Sequence, residues 1–224
     1  MEGHIEIGLE SLTQKLLTMA SYAETAVNEA LQALQQRDAG LAVHVKEKDR
    51  AIDQLEVEID DMVIQLLTRA PLASNLRLVT IAMKISQDLE RVGDEATKIA
   101  KRARDLSEEP PVKIVLDLPR MAALALDMLK DALDAFVNRD SVAARSIIPR
   151  DKEVDEINKQ IHNALAQRMV EDTGTIARCL HLMVVSKSLE RIADHATNVA
   201  EDVVYLCEAQ DIRHTGMKSQ MVPA

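Results

Sequence analysis

Four carboxylate pairs share the spacing acid-x-x-x-Asp: Asp49 with Asp53, Glu90 with Asp94, Asp151 with Asp155, and Glu190 with Asp194. On a helix, residues four apart stack on one face, so both carboxylates of a pair can reach a single ion. Like charges stacked in this way repel unless a cation bridges them. Carboxylates alone suit hard cations such as Mg²⁺, Ca²⁺ or Mn²⁺, and carboxylate clusters also hold iron. The chemistry on offer is metal binding at all eight acids, weighed against the plainer reading of a solvated acidic face. Asp94 has Lys98 four residues on, a ready salt-bridge partner. At the equivalent place the second half carries Asn198, with Glu201 and Asp202 a turn further, so no cation is built in there. The second set is therefore expected to be the better metal site.

Other chemistry is scarce. The histidines (His4, His44, His162, His181, His195 and His214) are scattered, and only His195, next to Asp194, is a candidate extra ligand. A di-metal oxidase bundle would need Glu-x-x-His on its helices, and that spacing is missing. There is no Gly-rich phosphate loop, no H-E-x-x-H, and no Ser/His/Asp or Cys/His set on plausible turns. No enzymatic activity is expected. Arg91 and Arg191, beside the acids, are candidates for an anion or for surface salt bridges.

The acids must be held by helices. Ile85 to Leu106 returns almost intact as Val185 to Leu206, with Glu90, Arg91, Asp94, Ala96, Thr97 and Ala100 recurring at an offset of 100. Its apolar residues Ile85, Leu89, Val92, Ala96, Ile99, Ala103 and Leu106 advance by alternating steps of 4 and 3, a helical seam. Val185, Leu189, Ile192, Ala196, Val199, Val203 and Leu206 repeat it. The acids fall off this seam and are expected to face outward or sideways. An earlier helix from about Gly8 to Arg37 carries Leu12, Leu16, Met19, Ala23, Val27 and Ala30. A turn at Asp38-Ala39-Gly40 precedes a second helix through Ile52, Leu55, Ile59, Met62 and Leu66, which Pro71 stops. Residues 30–38 match 132–140, and Asp49 and Asp53 match Asp151 and Asp155, at an offset of 102. Elements matched in order indicate an internal duplication. Pro149, whose counterpart is Glu47, predicts a kink or a helix that restarts just before Asp151. Folding each second and third helix back as a hairpin sets Asp53 level with residue 92 and Asp49 with 96. In the other half it sets Asp155 level with 189 and Asp151 with 193, so each half brings four acids to nearly one height. The fold class is all-α, two antiparallel three-helix bundles in tandem. Their spans are residues 1–108 and 109–214, joined through Ser107-Glu108-Glu109-Pro110-Pro111, with a tail at 215–224.

Composition agrees. Hydrophobic residues make up 47% of the chain, yet it has no Trp, one Phe and two Tyr, so its core must be aliphatic. A net charge of -10 argues against nucleic acid, which needs a surplus of Lys and Arg. Cys179 and Cys207 read as reduced core thiols. No apolar run approaches the roughly 18 residues of a membrane span. No secretory signal is visible, and a cytoplasmic chain without direct membrane insertion is expected.

The duplicated Leu89-Glu90-Arg91-Val92-Gly93-Asp94 and Leu189-Glu190-Arg191-Ile192-Ala193-Asp194, with Arg150-Asp151-Lys152-Glu153-Val154-Asp155 and the closing Val203 to His214, resemble the PhoU family over roughly residues 5 to 214. The resemblance implies a tandem three-helix-bundle regulator, often dimeric, whose acid-x-x-x-Asp motifs bind metal ions such as Mg, Mn, Fe or Zn. It also implies two partners, the ATPase of the Pst phosphate ABC transporter and the PhoR sensor histidine kinase. Its role would be to repress the phosphate-starvation response when phosphate is plentiful. An accessory protein of another phosphate transporter, a helical metal buffer and a metal-free scaffold remain open beside it.

Overall fold

The structure, a computed structural model, describes residues 2–68 and 73–213, with side chains from residue 5 onward. Pro71, the side chain of His4, His214 and the 215–224 tail lie outside these. Helix α1 spans Glu2–Gln36, α2 Ala39–Leu67, α3 Ala73–Ser107, α4 Leu118–Asn138, α5 Ser141–Ile147, α6 Asp151–Glu171 and α7 Ile176–Glu208. No strand occurs among the described residues. The first helix starts several residues before the expected Gly8.

The two halves are built alike in detail. Asp38 caps α2 by accepting from the Leu41 backbone N–H, and Asp140 caps α5 by accepting from Val142 and Ala143. Just before each cap the chain turns through a left-handed residue, Arg37 at φ 57° and Arg139 at φ 52°. The backbone N–H groups of Asp38 and Asp140 close these turns on the carbonyls of Ala33 and Ala135. Pro149 does interrupt the second half: α5 ends at Ile147, a 3₁₀ turn covers Ile148–Arg150, and α6 restarts at Asp151. Proline lacks the N–H that a continuous helix would need there.

All fourteen seam residues of the repeated helix are buried, in both α3 and α7. They face the partners of their own bundles, α1 and α2 for α3, and α4, α5 and α6 for α7. The linker from Glu109 to Asp117 is extended, with Val112, Ile114 and Leu116 packed on the core and the residues between them exposed. Arg37 ties it down by donating to the carbonyls of Leu106 (2.7 Å), Ser107 (3.1 Å) and Glu109.

Each bundle also presents a second face of its signature helix to the other bundle, and α3 packs on α7. The cross-links run Lys84 to Asp202, Asp88 to His195, Glu95 to Arg191 and Arg102 to His181. As one number rises the other falls, so the two helices are antiparallel and cross near residues 92 and 192.

Candidate functional site: two carboxylate shelves

On α2 and α3 the acids do gather. The Asp49 carboxyl is raised above its ordinary value by burial and then by the charge of Asp53, with Asp94 adding to it. Glu90 is raised by burial and then by Asp94, Glu56, Asp53 and Asp49. Glu56 is itself raised by burial, then by Asp60 and Asp53. The shelf therefore holds Asp49, Asp53, Glu90 and Asp94, plus Glu56, which sits one helical turn beyond Asp53 and outside the repeated motif. Gly93 lets α2 approach, since a Cβ there would stand 2.9 Å from Ile52 Cδ1 and 3.0 Å from Asp49 Oδ1. Asp49 thus lies beside positions 93 and 94, close to the height expected from the hairpin.

The second shelf has the same plan on α6 and α7. Asp151 rises from 3.8 to about 6, through burial and the charges of Asp194, Asp155 and Glu190. Asp194 is raised by burial and by Glu190. Asp151 Oδ1 is buried without a hydrogen-bond partner, as is the hydroxyl of Thr197, one turn beyond Asp194. An acceptor oxygen buried among like charges is what a cation would satisfy, and the donor set is all hard oxygen. The residues present therefore fit a hard metal ion. As they stand, no three His, Cys, Asp or Glu side chains among the described residues converge into a ready cage.

Several local expectations are overturned. Lys98 does not neutralise Asp94; its Nζ lies 2.8 Å from Glu95, whose carboxylate is buried at the interface between the bundles. The second shelf is not free of cations, because Lys187 Nζ lies 2.5 Å from Glu190 and its charge also lowers Asp194. Glu190 faces inward rather than outward, at 9% exposure. His195 is engaged elsewhere: Nδ1 is 2.8 Å from Asp88 Oδ1, and since a carboxylate only accepts, Nδ1 carries the hydrogen. In each case the competitor lies on the opposite signature helix or at i+3, one residue closer than i+4, which repeat-by-repeat reading does not see.

Between the shelves, along the α3–α7 crossing, runs an open cleft of about 520 Å³. It is lined by four repeat-related pairs: Arg91 with Arg191, Asp94 with Asp194, Glu95 with His195, and Lys98 with Asn198. Asp94 and Asp194 belong both to the cleft and to the shelves, so the two shelves flank one shared opening.

A duplicated, all-α pair of antiparallel bundles joined through repeated acid-bearing helices is a distinct class of helical protein. The chain belongs to the PhoU domain family, whose model matches residues 16–103 and again 118–203. That is a family of accessory regulatory proteins, not of enzymes. A phosphate-specific transport system accessory protein PhoU homolog of Pseudomonas putida is 42% identical over 212 residues, covering 94% of this chain and 83% of its own. The phosphate-specific transport system accessory protein PhoU of Escherichia coli K12 is 34% identical over 217 residues, 96% of this chain and 90% of its own. The crystal structure of PhoU from Pseudomonas aeruginosa superposes with a TM-score of 0.88 at 40% identity, covering 92% of this chain and 99% of the other. That of the phosphate transport system regulatory protein PhoU from Streptococcus pneumoniae gives 0.85 at 29% identity, covering 93% and 99%.

Proposed function

We propose that this chain is a non-catalytic accessory protein of a phosphate transport system, carrying divalent or trivalent metal ions on its two carboxylate shelves. In this reading it works in the cytoplasm as a homodimer. It restrains uptake through the ATPase of the Pst-type phosphate transporter and signals through a PhoR-type sensor histidine kinase. The observation that carries it is the duplicated shelf, four mutually repelling carboxylates at the same height in each repeat, on a chain whose relatives are named for phosphate transport. A bound cation would cancel the repulsion and leave coordination positions for an acidic or phosphorylated group of a partner. The shelf residues would hold the ion, while exposed helix faces supply the remaining recognition.

The test is retention of purified transporter ATPase and kinase cytoplasmic domain on the immobilised chain, with and without divalent metal. Metal-dependent retention of either supports the assignment, and retention of neither in both conditions refutes it. In parallel, Asp194→Asn combined with Glu190→Gln should lower the metal content of protein purified without chelator by about half. Unchanged content would overturn the ligand assignment.

A further inference from the structure

The cleft at the α3–α7 crossing has chemistry that the shelves do not use. We propose that it binds a tetrahedral oxyanion of the phosphate class, clamped between Arg91 and Arg191, one guanidinium from each repeat.

Arg91 makes no hydrogen bond or ion pair with any described residue, and its charge acts at longer range on Glu56, on the shelf. It lines the central cleft and also the adjoining hollow that contains Lys84 and Arg213, so both openings meet at its side chain. Arg191 spends a single nitrogen on Glu95, at 3.2 Å. A guanidinium has five N–H donors in a flat fork, so most of the donors of this pair remain for a ligand. Glu95, the acid that would otherwise oppose an anion here, is already held by Lys98 at 2.8 Å as well as by Arg191. In a chain of net charge -10, the two arginines and the lysine balance Asp94, Glu95 and Asp194, so this opening is locally neutral rather than acidic.

Two planar forks approaching from opposite helices suit a ligand that offers acceptor oxygens in more than one plane. A tetrahedral oxyanion does so and a flat carboxylate does not. Asp94 and Asp194 at the rim oppose any anion, so the expected affinity is modest, with Kd on the order of 1 mM. Cations on the shelves would tighten it by neutralising those two acids. The inference needs only the purified chain, so it stands or falls separately from association with a transporter or kinase.

The experiment is a calorimetric titration of the full chain with inorganic phosphate, once after chelator treatment and once with excess Mg²⁺. Arg91→Gln and Lys130→Gln are compared with the unaltered protein. Lys130 is exposed on α4, outside the cleft, and controls for general charge. Saturable binding in either state, weakened at least tenfold by Arg91→Gln but not by Lys130→Gln, supports the site. Competition by sulfate but not by acetate supports the tetrahedral chemistry. No saturable binding up to about 20 mM in either state, equal weakening by both variants, or equal competition by acetate would overturn the proposal. Because Arg91 is exposed and makes no contact that the fold needs, its variant should keep the helical circular dichroism and melting temperature of the unaltered chain. Arg191→Gln, which also loosens Glu95, serves as the second variant and should weaken phosphate to a similar degree.

Discussion

At the scale of single residues, the shelves are held together against their own charge. Asp151 shows this best, because its carboxyl is pushed from 3.8 to about 6. In the unfolded chain it ionises near its ordinary value; in the folded chain it resists until about pH 6. Below both values the group is protonated in both states and contributes nothing. As pH rises through this window, the folded state is penalised and stability falls. The full shift corresponds to about 3 kcal/mol, but solvent screening of this half-exposed group reduces that to about 1 kcal/mol. Asp151→Asn is therefore expected to stabilise chelator-treated protein by about 1 kcal/mol at pH 7.5 and to have no effect at pH 3.5, as measured by urea unfolding. A loss of stability at pH 7.5 would contradict charge repulsion on this shelf. Metal and proton compete for the same oxygen, so binding on the second shelf should also weaken as pH falls through 6.

At the scale of elements, the repeat is carried by paired caps and turns as much as by the apolar seam. Arg37 and Arg139 occupy left-handed conformations that favour glycine, yet Arg37 is retained in a role no glycine can fill, holding the linker by three carbonyls. Ala209, which ends α7 at φ 55°, has no such role; it is exposed, and only its backbone N–H is engaged, by Tyr205. Ala209→Gly should therefore relieve strain and stabilise the protein by up to about 1 kcal/mol, visible as a rise in Tm of a few degrees. An unchanged or lower Tm would mean that the residue's left-handed geometry carries no net strain. Pro149 marks where the halves part. The second half reaches its shelf through a restarted helix, so Asp151 lies in the first turn of α6, while Asp49 lies well inside α2.

At the scale of the whole molecule, the two bundles meet across a polar seam rather than a greasy one. Asp88, Glu95 and Asp202 are buried there, paired with His195, Arg191 and Lys84. Burial tends to raise Glu95, but hydrogen bonds from Lys98, Ser188 and Arg191 outweigh it and hold the carboxyl below its ordinary value. A depressed carboxyl stabilises the fold above its unfolded value of 4.5 and loses that contribution as pH falls through the folded one. Glu95→Gln should cost about 1–2 kcal/mol at pH 7 and much less at pH 3. An equal cost at both pH values would show that shape, not charge, joins the bundles. Acidification thus acts in opposite senses on the two carboxyls, relieving Asp151 on its shelf while loosening Glu95 in the seam.

The amino-acid sequence by itself determined the all-α class, the duplication, both apolar seams, the restart after Pro149 and the eight acids, four to each half. All of these follow from periods of 3.6 residues and from offsets within the chain, which are local quantities. Only the tertiary structure decided which cation meets which acid. His195 turns to Asp88 because α3 and α7 pack on each other, while Lys98 and Lys187 settle on Glu95 and Glu190, three residues away on their own helices, because burial makes those two acids most costly to leave unpaired. Glu56 joined the first shelf for a related reason, since its place depends on how α2 lies against α3. The cleft between the arginines arises at a crossing of two helices about a hundred residues apart, and no spacing along the chain encodes it.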